Sequence, residues 1–372
     1  MNAYIRYFGY FGYLLLLWFI SSRRHGSVTR KEQIGNETVT RYNWLFALLA
    51  IAPLIYLAAT RSIYFGDTNV YRRGFEQSPS SFSGFGAFLE TLTKDRGFYL
   101  FAALMRTVLG NRPVVYFGIV AAIQLVLLVS MLRKYSNDLL ISLFVFVASA
   151  DYLSFMHNGI RQFVAVCMIC AASKFIFERR YIPAVLVILF ASQFHQSALI
   201  MIPIIFITQG NPWNKSTVGL LFGAIIVVVL VNQFTGLLDS LLQETQYANI
   251  VSDWTEWDDN GTNPLRVLVY CVPAILSLLG LRYIREENNP MINICTNMSV
   301  ISAGLYIVSM ATSGIYIGRL PIYVCLYANC ILLPWELENL FSRQSSEIIR
   351  ALMIVLFLAF YYYQIHFTWG VI

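Results

Sequence analysis

The chain has 372 residues, of which 58% are hydrophobic and only 12% charged, with a net charge of +6. A soluble domain has about 45 to 50% apolar and about 25% charged residues, so the composition excludes an ordinary soluble enzyme and points to a membrane protein. No nucleic-acid partner is expected.

In chain order, apolar runs of roughly the length that crosses a bilayer, about 17 to 25 residues, or somewhat less, lie near 4–20, 43–60, 113–132, 139–156, 163–177 and 181–194. The second half adds 197–208, 217–236, 265–283, 291–310, 320–335 and 348–368. The predicted fold is therefore all-α: a polytopic membrane helix bundle of about twelve spans. A further apolar piece, 97–110, carries Arg106 and is too short to cross, so it reads as interfacial or re-entrant. No linker, low-complexity tract or repeat divides the chain, and 1–372 reads as a single membrane domain. The first span has no basic flank or small-residue cleavage site, so it is expected to be retained.

Orientation follows from the loops, because Lys and Arg accumulate on the cytoplasmic side. The densest basic loop, SSRRHGSVTRKE after the first span, goes inside, and alternation then places the whole excess positive charge on that face. Two outer segments are long enough to cover a site: 61–96, and 237–263 with its acidic and aromatic run QETQYANIVSDWTEWDDNGTNP. The cysteines all fall inside spans and read as small apolar residues. Cys167 and Cys170 form C-x-x-C without a second pair, and no H-x-x-x-H spacing links the histidines, so neither metal nor cofactor is expected.

A charge near the bilayer centre costs about 2.5 to 3.5 kcal/mol, so charged positions carry the most information. Every outward basic residue except Lys94 is an arginine, Arg72 among them. The guanidinium fork suits phosphate and keeps its charge when partly buried; the structural alternative is snorkelling to lipid headgroups. Arg161 and Gln162 lie with His157 in HNGIRQ, His195 in FHQSA, and Arg319 at the start of GRLPIY, all assigned to the outer face. For His195 the alternative is a hydrogen-bonded turn histidine. Asp151, late in its span, needs a partner, with Arg161 and Arg106 as candidates. In GDTNVYRRGF, Asp67, Tyr71 and Phe75 share one face of a short helix. A carboxylate and a phenol there suit sugar hydroxyls, or Asp67 is a cap beside two interfacial aromatics.

IRQFVAV followed by FHQSALIMIPI resembles the paired signature of the EpsG-like family of bacterial polysaccharide polymerases, relatives of the Wzy O-antigen polymerases. Asp67, Tyr71 and Phe75 resemble that family's D-x-x-x-Y-x-x-x-F element, KDRGFYLF the segment after it, and Arg319 with Tyr323 its late R-x-x-x-Y element. Arg96 in KDRGF departs from the small residue expected there. The resemblance implies a metal-independent glycosyltransferase in the bacterial cytoplasmic membrane, with a GT-C-like bundle as one architecture open to it. Such an enzyme transfers a glycan from polyprenyl pyrophosphate to another lipid-linked repeat unit at the outer face, beside membrane lipid, a flippase and a chain-length regulator. Its site would comprise His195 and Asp67 as catalytic residues, with Arg161, Gln162, Arg319, Tyr71, Tyr323, Arg72 and His157 binding substrate. A lipid-linked oligosaccharide flippase or transporter, and a glycosyltransferase or O-acyltransferase using another donor, are the alternatives.

Overall fold

The computed structural model describes residues 3–34, 37–231, 236–237, 240–241 and 261–368. Residues 242–260, most of the second outer loop, lie outside them. The chain forms two compact units, residues 1–199 with 348–372, and residues 200–347.

Unit 1 is built on the helix Pro113–Tyr135, which starts with proline at its first turn and packs against Trp44–Ala59 and Ile160–Ala171. Asn43 caps Trp44–Ala59, its side chain accepting the Phe46 amide at 2.9 Å, a contact typically contributing about 1 kcal/mol. On that helix Ala47, Ala50, Ile51, Leu54 and Ala58 are fully buried, while Leu45 and Tyr56 are exposed. Three of the five buried residues are alanines, which let neighbouring helices approach closely. Close approach continues at Gly118, where a Cβ would come 3.3 Å from that of Ala59.

The all-α expectation holds but for one hairpin. In the basic loop, Thr29–Ile34 pairs antiparallel with Glu37–Tyr42. Charge dominates this loop in the sequence, but its Thr, Val and Tyr residues favour strands. Arg133 fastens the hairpin with a two-pronged bond to Glu32, at 2.8 and 3.0 Å, and a bond to the Tyr42 carbonyl. Those bonds to Arg133 hold the Glu32 carboxyl below its ordinary range.

In unit 2, Pro290–Ala311 packs against Lys215–Val229 and Pro264–Leu279. Asn297 ties a turn to that central helix, donating to the carbonyls of Thr208 and Asn211 at 2.9 Å each. The helical stretch Ile317–Asn339 contains a π-helical turn at Ala328–Leu332.

Among the described residues four helices are long and apolar enough to cross a membrane: Pro113–Tyr135, Pro290–Ala311, Ile317–Asn339 and Arg343–Thr368. Two bent pairs raise the number to six, and shorter apolar helices occupy most of the other predicted spans. Apolar windows do not register breaks. The 139–156 run bends by 77° between Leu139–Ala148 and Asp151–His157, where Ala150 takes φ +58°. The 265–283 run bends by 68° near Gly280.

Candidate functional site

Three segments of unit 1, the first loop and the turns HNGIRQ and FHQS, converge on one polar network. The first loop is held in place by its aromatics. Its helix Thr68–Gln77 buries Phe75 flat against Tyr116, with centroids 4.3 Å apart, and sets Tyr71 edge-on to Phe98. Asp67 starts that helix, but its exposed side chain makes no capping bond. Its backbone amide donates to Asn158 Oδ1 at 3.3 Å, and Tyr71 Oη donates to the Asn158 carbonyl at 3.1 Å. Gly66 makes this approach possible: it takes φ +49°, and a Cβ there would run into the Asn158 amide.

Arg161 begins the helix Ile160–Ala171. Its Nη1 donates to Asp95 Oδ2 at 2.6 Å and to Tyr99 Oη at 3.3 Å. Sequence reasoning offered Asp151 as a partner for Arg161; the structure pairs it with Asp95 instead. Asp151 is buried where the 139–156 run breaks. Asp95 is 3% exposed at its side chain. Burial raises its carboxyl above the ordinary value, while Arg161 and the Gln196 backbone amide act in the opposite direction. The backbone reinforces the link, since the Gly97 amide donates to the Gln193 carbonyl at 2.8 Å. The Gln162 amide donates to Ser197 Oγ at 3.4 Å, and His195 Nδ1 lies 2.7 Å from the same oxygen.

The structure thus brings Tyr71, Arg161, Gln162 and His195 together. Arg72 lies on the Tyr71 helix and is paired with Glu76 at 2.8 Å. His157 is buried. Its Nδ1 lies 2.6 Å from the Leu153 carbonyl, which can only accept, so Nδ1 carries the proton. Nε2 then accepts from Tyr7 Oη at 2.9 Å, and both ring nitrogens are engaged within the chain. In unit 2, Arg319 is exposed at the short turn Ile317–Arg319, and Tyr323, one helical turn later, is 1% exposed.

Sequence reasoning missed Asp95, Tyr99, Asn158 and Ser197, although each lies inside or beside a motif it singled out. Arg61 counts among the outward arginines of the sequence, which does not set it apart from the others. The Arg61 guanidinium lies 4.1 Å over the Phe117 ring, its Nε and Nη2 are buried without an acceptor among the described residues, and burial pulls its pKa down to about 10. A further omission is Glu336 in unit 2, fully buried with both carboxyl oxygens unpartnered among the described residues.

A family model, that of the EpsG family, matches residues 44–369, which include all of these segments. No curated protein and no solved structure matches the chain. Helices able to span a membrane, and a match over most of the chain, support the same conclusion: the protein belongs to the EpsG family of polysaccharide polymerases and is a multi-pass membrane protein of polysaccharide biosynthesis.

Proposed function

We propose that the protein is a polysaccharide polymerase of the bacterial cytoplasmic membrane, working at the outer face. It transfers a growing glycan from polyprenyl pyrophosphate to the sugar of a second lipid-linked repeat unit. The observation that carries this reading is the convergence of Arg161, Gln162, Tyr71 and His195 on one network.

An acceptor hydroxyl attacks the anomeric carbon of the donor glycan. The bond from that carbon to the phosphate oxygen breaks, and polyprenyl pyrophosphate leaves with the electron pair. The donor is already activated, so the protein has to remove one proton and stabilise a departing anion. His195 is the base on the acceptor hydroxyl. That role requires the tautomer in which Nδ1–H donates to Ser197 Oγ, leaving the lone pair on Nε2. Gln162, bonded to the same serine, orients it. Arg161 binds pyrophosphate, Arg319 is a further phosphate-binding residue, carried by unit 2, and Arg72 adds positive charge on the first loop. Asp67 and Tyr71 grip the acceptor sugar and Tyr323 lines the binding region, while His157 supports Asn158 from the adjacent position. A flippase that delivers repeat units and a regulator of chain length are the partners this reading implies.

A second reading, a transporter or flippase, is favoured by Glu336, because a carboxyl buried in a membrane segment commonly marks an ion or proton path. A glycosyltransferase or O-acyltransferase with another donor would use the same arginines. Purified protein given one labelled lipid-linked repeat unit separates these readings. Polymerisation yields a ladder of lengthened chains with release of polyprenyl pyrophosphate. Translocation across a vesicle bilayer without new glycosidic bonds, or acyl transfer alone, would sink the polymerase reading.

A further inference from the structure

Beside the network, at the neighbouring residue His157, lies a cleft of about 40 Å³ lined by Arg6, Tyr7, Arg61, Ser62 and His157 among others. Two guanidiniums share it. Among the described residues neither forms an ion pair, and the groups acting most on Arg61 are Tyr7, Tyr116 and Tyr71, with no carboxylate among them. His157 contributes no charge, because its two nitrogens are taken by Leu153 and Tyr7 as a neutral ring. Ser62 Oγ accepts the Tyr64 amide at 3.3 Å, so its own O–H remains a donor toward the cleft.

Arg61, whose Nε and Nη2 are buried, shares the cleft with the exposed Arg6 and, among the described residues, with no counter-charge from the chain, so the cleft attracts an anion. The volume is far below the roughly 300 to 1,000 Å³ of a drug-sized site, which rules out a sugar chain and leaves room for one compact group. Guanidiniums with a hydroxyl donor match a tetrahedral oxyanion. The cleft also lies just past the end of the apolar helix Trp44–Ala59, near exposed Tyr56, where a lipid's charged group would sit.

We propose that the Arg6–Arg61 cleft binds a single phosphate group, at a site separate from the Arg161–Asp95 pair. The group comes from a phospholipid headgroup or from a free or lipid-borne pyrophosphate, and the chemistry is the same. The proposal does not rest on the polymerase reading. If that reading holds, the cleft accounts for the second of the two pyrophosphates that two lipid-linked substrates bring.

The test uses the full chain in nanodiscs of zwitterionic lipid, titrated calorimetrically with inorganic pyrophosphate, and a parallel set containing phosphatidylglycerol, with retained lipid read by native mass spectrometry. Arg61→Gln should weaken binding of at least one probe about tenfold or more. Arg6→Gln, at an exposed position that leaves packing intact, should weaken the same probe by about threefold or more. Arg112→Gln, an exposed arginine outside the cleft, should stay within about twofold of wild type. Pyrophosphate displacing retained phosphatidylglycerol identifies a soluble or lipid-borne pyrophosphate as the source. Retention of phosphatidylglycerol unaffected by pyrophosphate identifies the headgroup. Failure of wild-type protein to bind either probe overturns the proposal, as does Arg6→Gln binding both like wild type. No acceptor glycan is present, so loss of chain lengthening elsewhere leaves this result untouched.

Discussion

Arg161 meets the Asp95 carboxylate at 2.6 Å, whereas Arg61 lies over the Phe117 ring with no carboxylate beside it among the described residues. Tyr71 acts electrostatically on both guanidiniums, so the two belong to one neighbourhood and differ in compensation. A paired arginine is positioned in advance, but it takes a phosphate only by exchanging its partner. An unpaired one attracts an anion without that exchange. The contrast separates a group that orders the network from a group that waits for a ligand.

The largest expected effect lies on the paired side. Replacing His195 by alanine should lower turnover by about 10² to 10⁴-fold, the usual worth of general-base help, while lipid-linked substrate still binds. Asp67→Ala should instead weaken acceptor binding, raising KM more than it lowers kcat. Steady-state kinetics with varied acceptor reads both. Should Asp67→Ala abolish turnover at saturating acceptor and His195→Ala be nearly silent, the base role passes to Asp67.

Asp95→Asn tests the exchange directly. Removing the carboxylate leaves Arg161 without its partner and should cost about 1 to 3 kcal/mol of stability, seen as a lower Tm in detergent. The same change should tighten pyrophosphate binding, because the competitor is gone. Arg161→Lys retains charge but loses the fork, so activity should fall well below wild type, with Arg161→Ala lower still. Weaker pyrophosphate binding in Asp95→Asn would show that Asp95 supports the anion rather than competes with it.

Gly66→Ala should destabilise the first loop by about 1 to 3 kcal/mol, since the position combines φ +49° with contact against Asn158. Hydrogen exchange at 66–77 reads the loss, and wild-type protection would mean that the loop is not pinned by Asn158. The smallest effect belongs to a third arginine, Arg133, which is paired with Glu32. The folded-state carboxyl titrates below its unfolded value, so its contribution is present above the ordinary glutamate range and is lost as pH falls through the lowered one. Protection of the hairpin amides should fall across that acid window by no more than about 1 kcal/mol, and Glu32→Gln should remove the pH dependence.

Much of this was legible in the sequence. Composition and apolar runs identify a membrane protein, and HNGIRQ with FHQSA marks two turns that do meet. The pairing was not legible, because Asp95 lies 66 residues from Arg161 and nothing local couples them. Asp151 was the nearer candidate along the chain, yet the bend at Ala150 places it at a buried helix start instead. Arg61 looked like any other outward arginine. What distinguishes it is that, among the described residues, no carboxylate acts on a guanidinium whose Nε and Nη2 are buried, a property of packing that no spacing records. The hairpin escaped for a simpler reason, since charge and strand propensity coexist in TRKEQI and ETVTRY.

Orientation is an expectation from charge alone, and cysteine labelling in intact cells checks it. An impermeant reagent should reach a cysteine placed at Ser80 and not one placed at Ser27.

The most direct measurement is a structure of the protein with a lipid-linked repeat unit bound. Phosphate density within hydrogen-bonding distance of the Arg61 and Arg6 guanidiniums is the predicted result, together with a second phosphate at Arg161 that has displaced Asp95. An empty Arg61 cleft, with Asp95 still bonded to Arg161 and the lipid phosphates held elsewhere, would contradict the account.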